Sequence, residues 1–127
     1  MAGQLTISTL NDSSGVLATR NGMTGIAKAW VIFGGGNGTT SGQIFGSFNV
    51  SSITVVGTGD WIANYTTAMP DINNAPIAQG FGNNNASNNA VTQAGYNNRS
   101  ATATEIKHWE NSSPQSVGYV VLAVFSN

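Results

Sequence analysis

The sequence predicts an all-β fold, a β-sandwich or jelly-roll-like single domain of about eight or nine short strands. Three observations carry that expectation. Hydrophobic periodicity is close to two, and no window of eleven or more residues holds an i, i+3, i+4, i+7 apolar stripe free of Gly or β-branched clusters. Turn signals interrupt the apolar runs at short, even spacing. A chain of 127 residues is long enough for one domain and too short for two ordinary ones.

Taken in order, the expected strands are Gln4–Thr9, Gly25–Phe33, Gln43–Val50, Ile53–Val56, Trp61–Thr67, Ile77–Phe81, Ala90–Ala94, Ala101–Trp109 and Val117–Phe125. Asn11 to Gly15, Asn21-Gly22, Gly34 to Gly38, Gly57 to Asp60, Pro70-Asp71 and Ser112 to Pro114 supply the turns between them. Alternation is clearest in Gln43–Val50, where Ile44, Phe48 and Val50 fall on one face, Ser47 and Asn49 on the other, and only Phe45 breaks the pattern. Val117–Phe125 is apolar on both faces, which suits either a central strand covered on both sides or a strand at a subunit contact. The stretch from Gln79 to Asn98 holds seven of the sixteen Asn and reads as a long polar excursion around one short strand.

Only 9 residues are charged, 7%, against about 25% in a typical soluble protein. Sixteen Asn, sixteen Gly and 26 Ser plus Thr therefore make the polar surface out of neutral groups. Four scattered cations, Arg20, Lys28, Arg99 and Lys107, and a formal charge of −1 leave no footprint for a nucleic acid. No apolar run reaches the about eighteen residues of a membrane span, and Met1 to Thr6 has neither a basic nor an apolar leader pattern. Without Cys, disulfides and thiolate metal sites are excluded, so stability comes from the core or from association. Seven Asn-x-Ser/Thr sequons follow from composition and are expected to stay unglycosylated.

Catalytic candidates are few. His108 is the single histidine, reads as a strand-face or interface residue, and no Gly-x-Ser-x-Gly elbow accompanies it. Asp60 and Asp71 sit in turn sequences where Asp bonds local backbone, and Glu105 and Lys107, two apart on a strand, are placed to pair. Gly34 to Thr40 lacks the Lys of a phosphate loop and reads as a flexible hairpin connection. Asp71 to Asn74 lacks the Gly and closing Glu of a calcium loop and offers at most a weak ion site, so no cofactor is expected. Among the rings, Trp30, Tyr65 and Tyr119 lie in apolar strand patterns and are expected in the core, Trp109 is ambiguous, and Tyr96 beside Asn97-Asn98 is the better exposed platform.

Four separated pieces carry a family resemblance: Lys28-Ala29-Trp30-Val31, Phe48-Asn49-Val50-Ser51-Ser52-Ile53-Thr54, Gly57-Thr58-Gly59-Asp60-Trp61, and Thr66-Thr67-Ala68-Met69-Pro70-Asp71. Together, over about residues 17 to 75, they resemble a segment of bacteriophage tail-fibre proteins. Departures are Ile32 where that pattern commonly has Asn, Val55-Val56 where polar residues are usual, and the longer Gly-rich connection from Gly34 to Gly42. The resemblance implies a non-enzymatic β-sandwich module on a virion surface, usually trimeric and made in the host cytoplasm. It divides the chain into an N-terminal strand or attachment segment over 1–24, a family-like scaffold over 25–75, and a variable Asn-rich region with C-terminal strands over 76–127. Receptor contact is then expected from Asn83, Asn84, Asn85, Tyr96, Asn97 and Asn98, which offer neutral amides and one ring to a host saccharide or surface protein. The implied partners are further copies of the chain, other virion proteins and a host receptor, with no nucleic acid and no membrane insertion. Because the matched pieces begin about 25 residues after Met1, a fibre tip and a small protein that binds the virion directly, such as a head-decoration protein, are both open.

Overall fold

The computed structural model of the chain describes residues 26–82 and 90–126; the expected strand Gln4–Thr9 lies outside them. The described residues are all-β and form nine strands: β1 Ala29–Gly34, β2 Ile44–Phe48, β3 Val50–Gly57, β4 Asp60–Tyr65, β5 Ala75–Phe81, β6 Ala90–Arg99, β7 Ala103–Glu110, β8 Ser113–Pro114 and β9 Tyr119–Phe125. One sheet runs β2-β1-β9-β5; the other runs β3-β4-β7-β6, with β8 paired to β7. Every strand pair is antiparallel.

Alternation decides what lies between the sheets. From the first sheet Val31, Phe33, Val120, Leu122 and Val124 point inward, and from the second Trp61, Ala63 and Ile106 meet them, all fully buried or nearly so. Phe33 and Trp61 touch edge to face, their ring centroids 5.6 Å apart at 70°, the arrangement that the quadrupoles of two aromatic rings favour. The indole Nε1 of Trp61 donates to Ser41 Oγ at 3.0 Å, so the one polar atom of this buried ring is satisfied.

The expected continuous strand Gln43–Val50 is broken. Asn49 takes a left-handed backbone conformation, φ 55°, and turns the chain from β2 in the first sheet into β3 in the second. Asn tolerates that conformation better than most residues because its short amide bonds the local backbone. Its Nδ2 donates to the carbonyls of Lys28 and Thr67, both at 3.1 Å, and its Oδ1 accepts from the Thr67 amide at 2.7 Å. Phe45 escapes the alternation for a local reason. The register of β1 with β2 slips between Ile32 and Phe33, so Ile44 faces Phe33 while Gly46 faces Ile32, leaving Phe45 as the extra residue of a bulge.

Gly59, in the β3–β4 turn, has φ 65°, and a Cβ there would lie 2.5 Å from the His108 carbonyl oxygen and 2.6 Å from that of Gln115. Only glycine permits this approach, through which the His108 amide donates to Gly59 O at 2.8 Å. The Gly-rich connection between β1 and β2 differs from the flexible loop expected of it. Gly35 is buried against Val117, Gly36 bridges to Val117, and Thr39 Oγ1 donates to Gly118 O at 2.5 Å. Small residues let this loop lie against the entry to β9, where its backbone is hydrogen-bonded.

Candidate functional site

The expected receptor-contact residues fall into two groups. Asn83, Asn84 and Asn85 lie outside the described residues. Tyr96, Asn97 and Asn98 belong to β6, which runs on to Arg99 instead of stopping at Ala94 as the sequence suggested. They occupy an irregularity: the pairing of β6 with β7 slips between Ala94 and Arg99, and Gly95 has φ 72°. Such a bulge at a sheet edge projects residues away from the ladder. Here it is anchored by the Asn97 amide, which donates to Glu105 Oε2 at 2.8 Å. Asn97 and Asn98 are exposed.

The charged residues gather on the same side of the second sheet. Asp60 on β4 and Lys107 on β7 are directly opposed, and Lys107 Nζ reaches Asp60 Oδ2 at 2.8 Å and Glu105 Oε1 at 3.3 Å. The expected Glu105–Lys107 pair is present, and Asp60 joins it. The hydrogen bond that Lys107 donates to Asp60 is the main cause that holds its amine above the usual lysine range, which favours the charged form. Asp71 serves its turn as expected, with Oδ1 accepting the Asn73 amide at 2.6 Å. Among the described residues no three His, Asp or Glu side chains gather as a metal site.

His108, read as a strand-face or interface residue, lies on the inner face of β7 and is 3% exposed. The Gly80 amide donates to Thr92 Oγ1 at 2.9 Å, which leaves the threonine proton for His108 Nδ1 at 2.8 Å. That assignment puts the imidazole proton on Nε2, which lies buried 3.5 Å from Glu110 Oε1 without a hydrogen bond to it. The order Thr, His, Glu imitates a nucleophile, base and orienting acid. Yet the threonine oxygen already receives a backbone N–H, and a Cβ on Gly80 would lie 2.8 Å from it. With no room for a reacting carbon, the arrangement is a clasp between β5 of one sheet and β6 and β7 of the other.

The outer face of the first sheet carries what residue-by-residue reading missed. Trp30 and Tyr119, expected in the core, are 40% and 37% exposed. The register sets out successive rows across β2, β1, β9 and β5: Phe48, Trp30, Ala123 and Ile77, then Gly46, Ile32, Val121 and Gln79. A further row brings together the rings of Phe45, Tyr119 and Phe81, with centroids 5.5 and 5.4 Å from that of Tyr119. Tyr65 is the ring that met its core expectation; it is buried, hydrogen-bonded to Thr104 Oγ1, and desolvation pushes its hydroxyl above the usual tyrosine range. A clue to the outward face was present in Tyr119, Val121, Ala123 and Phe125, which alternate with the buried Val120, Leu122 and Val124.

Compared with known proteins, the chain matches no family model, no curated protein and no solved structure.

Proposed function

We propose that this protein is a non-enzymatic virion-surface module of the tail-fibre type, which attaches a bacteriophage to a saccharide or protein on its host, as a homotrimer and beside other virion proteins. One observation carries the reading furthest. Three of the four tail-fibre-like pieces meet at a single side chain, since Asn49 of the Phe48-Asn49-Val50 piece is hydrogen-bonded to Lys28 of the first piece and Thr67 of the last. The fourth piece lies at the far end of the same β3–β4 hairpin and is fixed there: Gly59 packs against His108, Asp60 pairs with Lys107, and Trp61 fills the core. Residues of three pieces separated in sequence thus form one interlocked corner, and the fourth belongs to the same hairpin, which is how a shared scaffold looks when loops, not core, vary with the partner.

The absence of enzymatic activity is part of the proposal, and it is supported by the engagement of each described acid-base candidate in an internal bond. The receptor contacts are assigned to the segment from Asn83 to Asn98, with Tyr96, Asn97 and Asn98 on the β6 bulge. Neutral amides predict binding that changes little with salt. Adsorption of the purified protein to host cells, measured for the wild type and for Asn97→Ala with Asn98→Ala, tests the assignment. Loss of binding supports it, whereas unchanged adsorption together with loss through a substitution elsewhere overturns it. Release of reducing ends from host envelope, abolished by changing an Asp or Glu, would overturn the non-enzymatic reading. A head-decoration role uses the same scaffold and is separated by labelled-antibody electron microscopy of the particle, which finds the protein on the head instead of the tail.

A further inference from the structure

The bulge that carries Asn97 and Asn98 leaves the sheet by more than a strand ladder can bridge. Ala94 is paired with Ile106 and Arg99 with Thr104, so four residues of β6, Gly95 to Asn98, lie opposite one residue of β7, Glu105. A ladder offers each bonded amide a carbonyl at matching spacing, and a four-to-one excursion outruns it. Both ends of the excursion are pinned. Gly95 opens it at φ 72°, where a Cβ would lie 3.4 Å from Pro76 Cγ and 3.5 Å from Arg99 Cβ. The Arg99 guanidinium closes it by donating to the Asn74 carbonyl at 3.4 Å. Between those ends a side chain takes the place of a strand backbone, because the Asn97 amide donates to Glu105 Oε2 at 2.8 Å.

Glu105 is an unusual residue to find so well covered. It alternates on β7 with Thr104 and Ile106, whose side chains face the core, and so lies on the opposite face, where carboxylates are ordinarily hydrated. Yet it is 7% exposed. A charge removed from water needs partners. Its Oε1 is 3.3 Å from Lys107 Nζ, but that amine is nearer to Asp60 Oδ2, at 2.8 Å. Two carboxylates sharing one ammonium leave a net negative charge in the cluster, and the Asn97 N–H is the dipole turned toward it. Hydrogen bonds to an ionised acceptor are about twice as strong as those between neutral groups. Of the nine charged residues in the whole chain, three stand in this cluster, beside the segment of β6 that leaves its ladder.

From this geometry we infer that Glu105 is the positioning residue of the attachment bulge: its ionised carboxylate, steadied by Lys107 and through it by Asp60, fixes the backbone at Asn97 and with it the direction in which Asn97 and Asn98 are presented. That role rests on the assignment of receptor contact to this bulge, and it adds the residue that sets the bulge's shape. Glu105 acts through the backbone, since its own carboxylate is covered and both of its oxygens are engaged within the chain. A recognition segment already held in its binding conformation loses less freedom when the partner arrives. Removing the carboxylate therefore acts first on local order and through it on adsorption.

Amide hydrogen exchange of the full chain, followed residue by residue by NMR, separates this role from a general structural one. Glu105→Ala removes both partners of the carboxylate; Glu105→Gln keeps an acceptor for Asn97 but loses the charge and turns an amide donor toward Lys107. Both are expected to speed exchange at Asn97, alanine by about tenfold or more and glutamine by less, while Val120 and Leu122 on β9 stay within about twofold of the wild type. The Asn97 amide proton is expected to move upfield in the same order. Should alanine fail to fold, the nearly isosteric glutamine carries the test. Equal acceleration at Asn97 and on β9 reports lost global stability and overturns the positioning role, as does unchanged exchange at Asn97. Adsorption to host cells is measured for the same variants beside Asn97→Ala with Asn98→Ala. Weakened adsorption by Glu105→Ala, with glutamine between it and the wild type, supports the role. If the double asparagine variant loses adsorption while Glu105→Ala keeps it, the positioning role falls and the attachment reading stands. If the double variant adsorbs like the wild type, the assignment of receptor contact fails, and exchange at Asn97 alone decides whether Glu105 holds the bulge.

Discussion

Replacing Asn49 tests the corner on which the scaffold argument depends. Asn49→Ala removes two donors to carbonyls and one acceptor for an amide, at 3.1, 3.1 and 2.7 Å, and places a Cβ-bearing residue without a compensating amide at φ 55°. Three partly exposed hydrogen bonds at the low end of their range contribute about 1.5 to 2.5 kcal/mol. The left-handed backbone adds about 1 kcal/mol for alanine. The expected destabilisation is therefore about 2.5 to 3.5 kcal/mol, which for a domain of this size lowers Tm by roughly 10 to 13 °C. Asn49→Gly separates the two causes: it relieves the backbone but loses the same three bonds, and should be less harmful than alanine by about 1 kcal/mol. Asn49→Asp keeps the acceptor for Thr67 N–H while turning a carboxylate oxygen toward two carbonyls, so it should approach alanine. Urea unfolding followed by Trp fluorescence measures all three. If alanine costs less than about 1 kcal/mol, or if glycine is the worst of the set, the corner does not hold the sheets as described.

Three further outcomes follow from single features. Gly59→Ala must displace the backbone at His108 or Gln115, because its Cβ would lie 2.5 Å from a carbonyl oxygen, and is expected to cost more than about 2 kcal/mol or to abolish soluble expression; a Tm within 2 °C of the wild type, about half a kcal/mol, would contradict the close approach. Trp61→Phe loses the bond to Ser41 and part of a fully buried ring, and should destabilise by about 2 to 3 kcal/mol in urea; a change below 1 kcal/mol would show that the site repacks. Stability should fall as pH rises above about 10: Lys107, held protonated mainly by Asp60, and Tyr65, kept neutral mainly by burial, both bind their protons more tightly folded than unfolded. Below the unfolded pKa values that stabilisation is fully present, so a double Lys107→Met, Tyr65→Phe variant should lose less stability between pH 9 and 11 than the wild type does, and an equal slope would refute the assignment.

What the sequence determined by itself was whatever depends on local pattern. Period-two alternation and evenly spaced Gly, Asn and Pro turns predicted an all-β chain, and Val120, Leu122 and Val124 of β9 were legible as one apolar stripe. The pairing of Glu105 with Lys107 followed from two-residue spacing on a strand, and the role of Asp71 from its turn. Whether Trp30 and Tyr119 belonged to the core was beyond that pattern, because alternation names two faces without saying which one meets the other sheet. The sandwich decided it by closing over Val31, Phe33 and Trp61 and leaving the opposite rings outside. In the same way the corner at Asn49 looked like the interior of one strand; its left-handed turn depends on carbonyls of Lys28 and Thr67 that come near only once both sheets are in place. Association of Thr92, His108 and Glu110 around Gly80 likewise requires β5 and β6 from opposite sheets to meet. Periodicity along the chain is set by each residue's own backbone geometry, whereas contacts between the sheets are set by which residues the fold brings together.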